Sequence, residues 1–429
     1  MSRYGKKSWI ISWCLYDFAN SSYSAVIASV VFPVYYVKVI VGNEAHLGDL
    51  WWGRAIGLSM AFVALTSPFI GGLSDYKNLR KPIFILYTGV SVIATALLSI
   101  LEPRMAAAGF LLIVLANIGM EGSLVFYNSY LKDITSPDYT GRVSAWGFAF
   151  GYVGSFSALL VSLPLVKAES FDIIWVFVAC FFITFSLPAF INLPSDQSLR
   201  KQNADRDHTV NPNQSMIGVA VYTVKTFINL FRQKNIRRFL LAFFIYEDGV
   251  NTVIVFSSIF AASTLGFQSE QLVYLFLLVQ VTAFIGAVVM SKPIDLWGPK
   301  KVIVLALILW CLVSVGSYFT YSKTAFFVIA AVAGLGLGTV QAASRALFAS
   351  FIPHGKEAEY FGVYSMLGKT SSILGPMVFG SLSAFFNSQR PAVLSLSVFF
   401  IIGLFLILSV KEVVCETNAE LHNNQNRGD

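Results

Sequence analysis

GGLSDYKNLRKP, residues 71–82, closes one long apolar run and opens the next, and MSKPIDLWGPKK, residues 290–301, does the same later in the chain. Each stretch sets an aspartate at the end of an apolar run and a Lys/Arg cluster a few residues on. The first carries Gly71, Asp75, Arg80 and Lys81, with Asn78 between; the second carries Asp295, Gly298, Lys300 and Lys301, with Ser291 at its head. One copy alone says little. Two copies in matching positions predict a chain built from two like halves.

Working outward from these stretches, the 429 residues are 56% hydrophobic and only 12% charged, against about 25% charged in soluble domains. A bilayer helix needs about 20 mostly apolar residues. Twelve such runs are expected, near 9–40, 51–74, 82–101, 106–131, 143–166, 173–193, 237–264, 270–291, 300–321, 324–352, 359–386 and 391–410. Their unbroken length excludes barrel strands, which alternate in segments of about ten residues. MSRYGKK leads into an apolar run too long for a secretory signal, so the first helix is expected to be uncleaved. The fold expected is all-α and membrane-integral, with twelve transmembrane helices in two pseudo-symmetric six-helix bundles.

The net charge of +7 is topological rather than a sign of nucleic-acid binding. Placing the N-terminus in the cytoplasm gathers Lys6, Lys7, Lys77, Arg80, Lys81, Lys132, Arg142, Lys300 and Lys301 on one side. The opposite loops keep single basic residues such as Arg54, Arg104 and Lys323. This is the positive-inside asymmetry, and it sets both termini in the cytoplasm. The longest polar break, 194–215, separates six spans from six. After it, Ala220, Val224, Phe227, Ile228 and Phe231 share one helical face, which fits an amphipathic surface helix or a soft start to span seven. The expected organisation is a bundle at 1–193, a cytoplasmic linker with an amphipathic helix at 194–235, a second bundle at 236–411 and a tail at 412–429.

Several buried-run residues are polar enough to need a reason. In WCLYDFANSSYSAVIASVVFPVYY (13–36), Asp17, Asn20, Ser21 and Ser24 share one face, roughly 12 Å deep at 1.5 Å per residue. A carboxylate there costs about 2.5–3.5 kcal/mol on insertion scales. It is read either as cavity-facing or as a hydrogen bond to a neighbouring helix. Span four carries Asn117, Glu121 and Asn128; span seven carries Glu247, Asp248, Asn251 and Thr252, echoing YDFAN (16–20) with YEDGVN (246–251). Of the adjacent acids, Asp248 is taken as the cavity group and Glu247 as a structural partner. Span ten supplies Arg345, either in the cavity or snorkelling to the interface, and span eleven supplies Lys369. An acidic cavity of Asp17, Glu121 and Asp248 facing Lys369 and Arg345 is the expectation.

Other chemistries find no support. GVYSMLGKTS (362–371) has five residues between its glycines where a phosphate-binding loop has four, and no strand precedes it. The four cysteines and four histidines are scattered, so neither a metal centre nor a disulfide framework is expected. No cofactor and no enzymatic activity is expected, and a membrane receptor or membrane-bound enzyme ranks last.

Taken together, the six-plus-six spans and the paired loops resemble the major facilitator superfamily. YDFANSSY (16–23), VFYNSYLKDI (125–134), GRVSAWGFAFGYVGS (141–155), FLLAFFIYEDGVNT (239–252) and SRALFASFIPHGKEAEYFGVYSMLGKTSSILGP (344–376) resemble its vacuole-effluxer-like branch, the "unknown major facilitator" family, whose fungal members are similar to vacuolar amino-acid exporters. The resemblance implies that spans one, four, seven and ten line a central cavity, and that the chain works by alternating access. The leading expectation is a secondary active transporter; the charged groups suggest a small polar solute, an amino acid or peptide-like metabolite, and protonation of Asp17, Glu121 or Asp248 is the expected coupling event. Export of amphipathic drugs or siderophores is the alternative. The expected setting is a monomer in a lipid bilayer, the bacterial inner membrane, with a small-molecule substrate and protons as partners.

Overall fold

The structure is a computed structural model and describes residues 6–42, 47–196, 228–371 and 374–412. Most of the expected linker, including the proposed amphipathic face up to Phe227, and the tail beyond Glu412 lie outside the described residues.

The described chain is helical throughout. α1 runs Lys7–Val41, α2 Leu47–Lys77, α3 Arg80–Leu97, α4 Ala106–Ser129, α5 Thr140–Lys167 and α6 Phe171–Asn192. The second half has α7 Lys234–Leu265, α8 Ser269–Trp297, α9 Pro299–Phe319 and α10 Lys323–Ser350. It continues with α11 Glu357–Thr370, α12 Leu374–Phe385 and α13 Gln389–Leu408. Eleven helices among the described residues are long and apolar enough to cross a membrane. The eleventh expected run, 359–386, is covered in the described residues by α11 and α12.

Local chemistry explains where the helices stop. α7 ends at Gly266 in the left-handed region, φ 68°, a conformation that costs glycine nothing. The turn between α2 and α3 passes through Asn78 at φ 57°, and the turn between α8 and α9 passes through Gly298 at φ 91°. Asparagine tolerates left-handed backbone better than most residues, so Asn78 does the work of Gly298 at the matching position. α1 is irregular: π-helical stretches at Tyr23–Val30 and Tyr36–Val41 flank Pro33. Proline removes a backbone donor and π turns accommodate such breaks.

The halves touch along two seams, α2 against α11 and α5 against α8. Small residues set the spacing. A Cβ on Gly71 would collide with the carbonyl of Ala358, one on Gly362 would meet the Ser67 carbonyl, and one on Gly141 would strike Ile294. Such close approach is how helices associate where lipid offers no hydrophobic driving force. Both seams are tight at the terminal face, where α1 begins and α13 ends. Towards the opposite face a cavity of about 1600 Å³ separates the halves and reaches Lys38 and Glu169 near the far helix ends.

Candidate functional site

The inter-half contacts at the terminal face repeat. Asp75 Oδ2 accepts the Glu359 N–H at 2.9 Å, so it caps α11 from the other half. Asp295 Oδ1 accepts the Arg142 N–H at 3.1 Å and so caps α5, while Asp295 Oδ2 stands 3.4 Å from the Arg142 guanidinium. In each case an aspartate from one half satisfies an orphan donor in the first turn of a helix in the other, where its charge also suits the helix dipole. Lys132 Nζ donates to the Ile352 carbonyl across the same gap.

The basic residues of the two loops serve their own halves. Arg80 is buried between Asp133, at 2.7 Å, and Asp196, at 2.9 Å. Its backbone N–H donates to Asp196 Oδ2 at 3.0 Å, and Lys81 Nζ donates to the Leu193 carbonyl at 2.6 Å. In the second half the Lys300 N–H donates to Glu412 Oε1 at 2.7 Å, and Lys300 Nζ donates to the Val410 carbonyl at 2.6 Å. Lys301 is exposed.

Deeper in, two ion pairs join the halves. Asp17 of α1 lies 3.6 Å from Arg345 of α10. The Tyr127 hydroxyl donates to Asp17 Oδ2 at 3.0 Å, and Asn20 Nδ2 donates to Asp17 Oδ1 at 3.4 Å. Arg345 donates from Nε to Ser144 Oγ at 2.9 Å, from Nη2 to the Ser144 carbonyl at 2.6 Å, and from Nη1 to Asn128 Oδ1 at 3.1 Å. Its guanidinium carbon lies 4.0 Å from the Phe148 ring centroid and 4.7 Å from that of Trp13. A planar fork with five donors and weak hydration suits this dry, aromatic socket, where a lysine would not. Arg345 is 3% exposed, so it does not snorkel.

The second pair is Glu121 of α4 with Lys369 of α11, Oε2 to Nζ at 2.6 Å. Glu121 is buried, whereas a quarter of the Lys369 side chain stays exposed. Asp17 and Glu121 thus each meet a cation from the other half. Asp248 does not join them. It is fully buried and takes the Gly375 N–H on both oxygens, at 3.0 and 2.9 Å, so it caps α12. Asn251 is half-buried one turn on.

The large cavity has a different character. Its walls are mostly Val, Leu, Ile, Phe and Ala side chains from α1, α5, α7, α8 and α10, punctuated by serines such as Ser24, Ser29 and Ser155 and by Gln280. Asp17, Glu121, Asp248, Arg345 and Lys369 are not among them. Ser24 lies on the cavity two turns beyond Asp17, so α1 joins the apolar chamber to the ionic layer.

Two bundles meeting on these seams around a central cavity define a major facilitator fold. The human organic anion transporter MFSD10 superposes with a TM-score of 0.73 at 16% identity, covering 93% of this chain and 98% of that one. The proton:xylose symporter XylE superposes at 0.74 with 11% identity, covering 97% and 98%. In sequence, the MFS-type transporter YxiO of Bacillus subtilis is 29% identical over 97% of both chains. Autophagy-related protein 22-1 of Penicillium rubens is 23% identical over 82% of this chain and 74% of its own. Residues 54–139 and 132–419 match the family described as "Vacuole effluxer Atg22 like". The chain belongs to that family of major facilitator transporters.

Proposed function

We propose that this transporter is a secondary active one that moves a small polar solute, an amino acid or peptide-like metabolite, by alternating access coupled to protons. The observation that carries the reading is the pair of buried ionic links between the halves, Asp17 with Arg345 and Glu121 with Lys369. When the terminal face opens, each link parts and leaves a carboxylate on the first half and a cation on the second. An uncompensated charge at that depth is costly. A zwitterion answers both, its ammonium meeting the acids and its carboxylate meeting Lys369, and a proton answers an acid alone. Asp75 and Asp295 act as latches that favour the arrangement with the terminal face closed.

The distribution of basic loop residues supports a cytoplasmic terminal face, and we place the chain in a bacterial inner membrane as a monomer. The halves 1–193 and 236–411 are the moving bodies in this reading. The test is uptake by proteoliposomes of amino acids and dipeptides with and without a pH gradient. Accumulation that follows the gradient and is lost in Glu121→Gln supports the proposal; a Glu121→Gln protein that still accumulates solute with the gradient overturns the coupling.

A second reading draws on the cavity. Its apolar walls favour amphipathic organic solutes over strongly hydrated ones. A lipophilic cation or hydroxamate that competes in the same vesicles, where amino acids do not, selects this reading.

A further inference from the structure

Lys369 lies in the last turn of α11, where a cation also meets the negative end of the helix dipole. Its contact partner, Glu121, belongs to the other half. A second carboxylate lies close by on its own half. The Phe243 ring of α7 stacks on Tyr364 with centroids 4.3 Å apart, and stands 3.7 Å from where a Cβ on Gly368 would lie. One helical turn beyond Phe243 is Glu247. That offset carries Glu247 to the level of Lys369, the residue after Gly368.

Glu247 is half-buried. Among the described residues no hydrogen bond and no ion pair within 4 Å holds its carboxylate. Lys369 therefore touches one acid from the opposite half and has a second at the same level on its own half.

We propose that Lys369 exchanges counterions during the cycle: Glu121 holds it while the terminal face is closed, and Glu247 takes it when the halves part on that face. The exchange rests on the transporter reading above and adds a role for Glu247 within it. The physical reason is that a bare ammonium inside the bilayer costs several kcal/mol. Glu247 travels with Lys369, so the cation keeps a counterion after Glu121 parts from it and until a substrate carboxylate reaches it. Glu121 is then released, free to take a proton or a substrate ammonium. Glu247 is a positioning residue, acting through Lys369.

The two acids are predicted to have opposite effects on conformation, which a merely structural role would not produce. Spin labels on cysteines replacing the exposed Lys77 and Lys301 report the width of the terminal face in the purified full chain, without substrate. Glu121→Gln is expected to raise the ratio of open to closed molecules, and Glu247→Gln to lower it, each by about fivefold or more, the lower end of coupling between sites. On a Lys369→Met background neither change has an effect. If Glu247→Gln does not fold, Glu247→Asp replaces it and is expected to lower the ratio by less. A Glu247 variant that leaves the ratio unchanged, or moves it in the same direction as Glu121→Gln, overturns the exchange. Because no solute is present, this outcome is separate from the uptake test of the transporter reading.

Discussion

Asp248 and Gly375 meet between α7 and the start of α12, with both carboxylate oxygens sharing one backbone N–H at 3.0 and 2.9 Å. This places the acid of the YEDGVN stretch at a helix terminus rather than among the ionic links, and gives it a measurable structural weight.

Removing that cap destabilises the fold. Asp248→Ala is expected to cost about 0.5–2 kcal/mol, the range for a lost N-cap, and to lower the thermal midpoint in detergent. Asp248→Asn, which keeps an acceptor oxygen, recovers part of it. Unchanged midpoints with transport abolished would instead assign Asp248 to coupling.

Breaking the Asp17–Arg345 link from one side leaves a buried charge alone. Arg345→Met is expected to cost about 3–5 kcal/mol, as for other buried pairs broken from one side. Asp17→Asn combined with Arg345→Met is expected to be less damaging than the sum of the single changes, because no lone charge remains. A double variant whose loss equals that sum would show that the two residues are not coupled.

The cross-half caps bias the conformational equilibrium. Ala358 is fully buried against Gly71, so a cysteine there reports opening of the α2–α11 seam through its reaction with a soluble maleimide. Asp75→Ala is expected to raise the reaction rate between about twofold and thirtyfold, the equivalent of about 0.5–2 kcal/mol. An unchanged rate would mean that the cap contributes nothing to closure.

Topology has its own check. Cysteines at the exposed Lys77 and Ala168 lie at opposite ends of the helices. An impermeant thiol reagent is expected to label the Ala168 site in intact cells and the Lys77 site only in inverted vesicles. The reverse pattern inverts the orientation.

Much of this was legible in the sequence because burial in lipid enforces long apolar runs, and because Asp75 and Asp295 recur at matching helix ends. Depth along the spans marks Asp17 and Glu121 as needing a counter-charge and Lys369 as a source of one, but not which cation meets which acid. Nor does depth separate the roles of Glu247 and Asp248. Neighbours in a helix point about 100° apart, and only the rotation of α7 against α11 and α12 decides which one faces inward. The start of α12 has a local signal in the sequence. Pro376 follows Gly375 inside an apolar run, and proline is tolerated in the first turn of a helix but not within one. Asp196 and Glu412 carry no such signal, since nothing local marks an acid that folds back onto a helix more than a hundred residues earlier.

Those two acids have a consequence for how the chain could be cut. Asp196 grips Arg80 and Glu412 grips the start of α9, so the last descending strand of polypeptide in each half is fastened to its own bundle. Neither fastening crosses to the other half. Severed between them, at residues 197–227, the protein should therefore yield two fragments that each hold their shape and find one another in the membrane when made together.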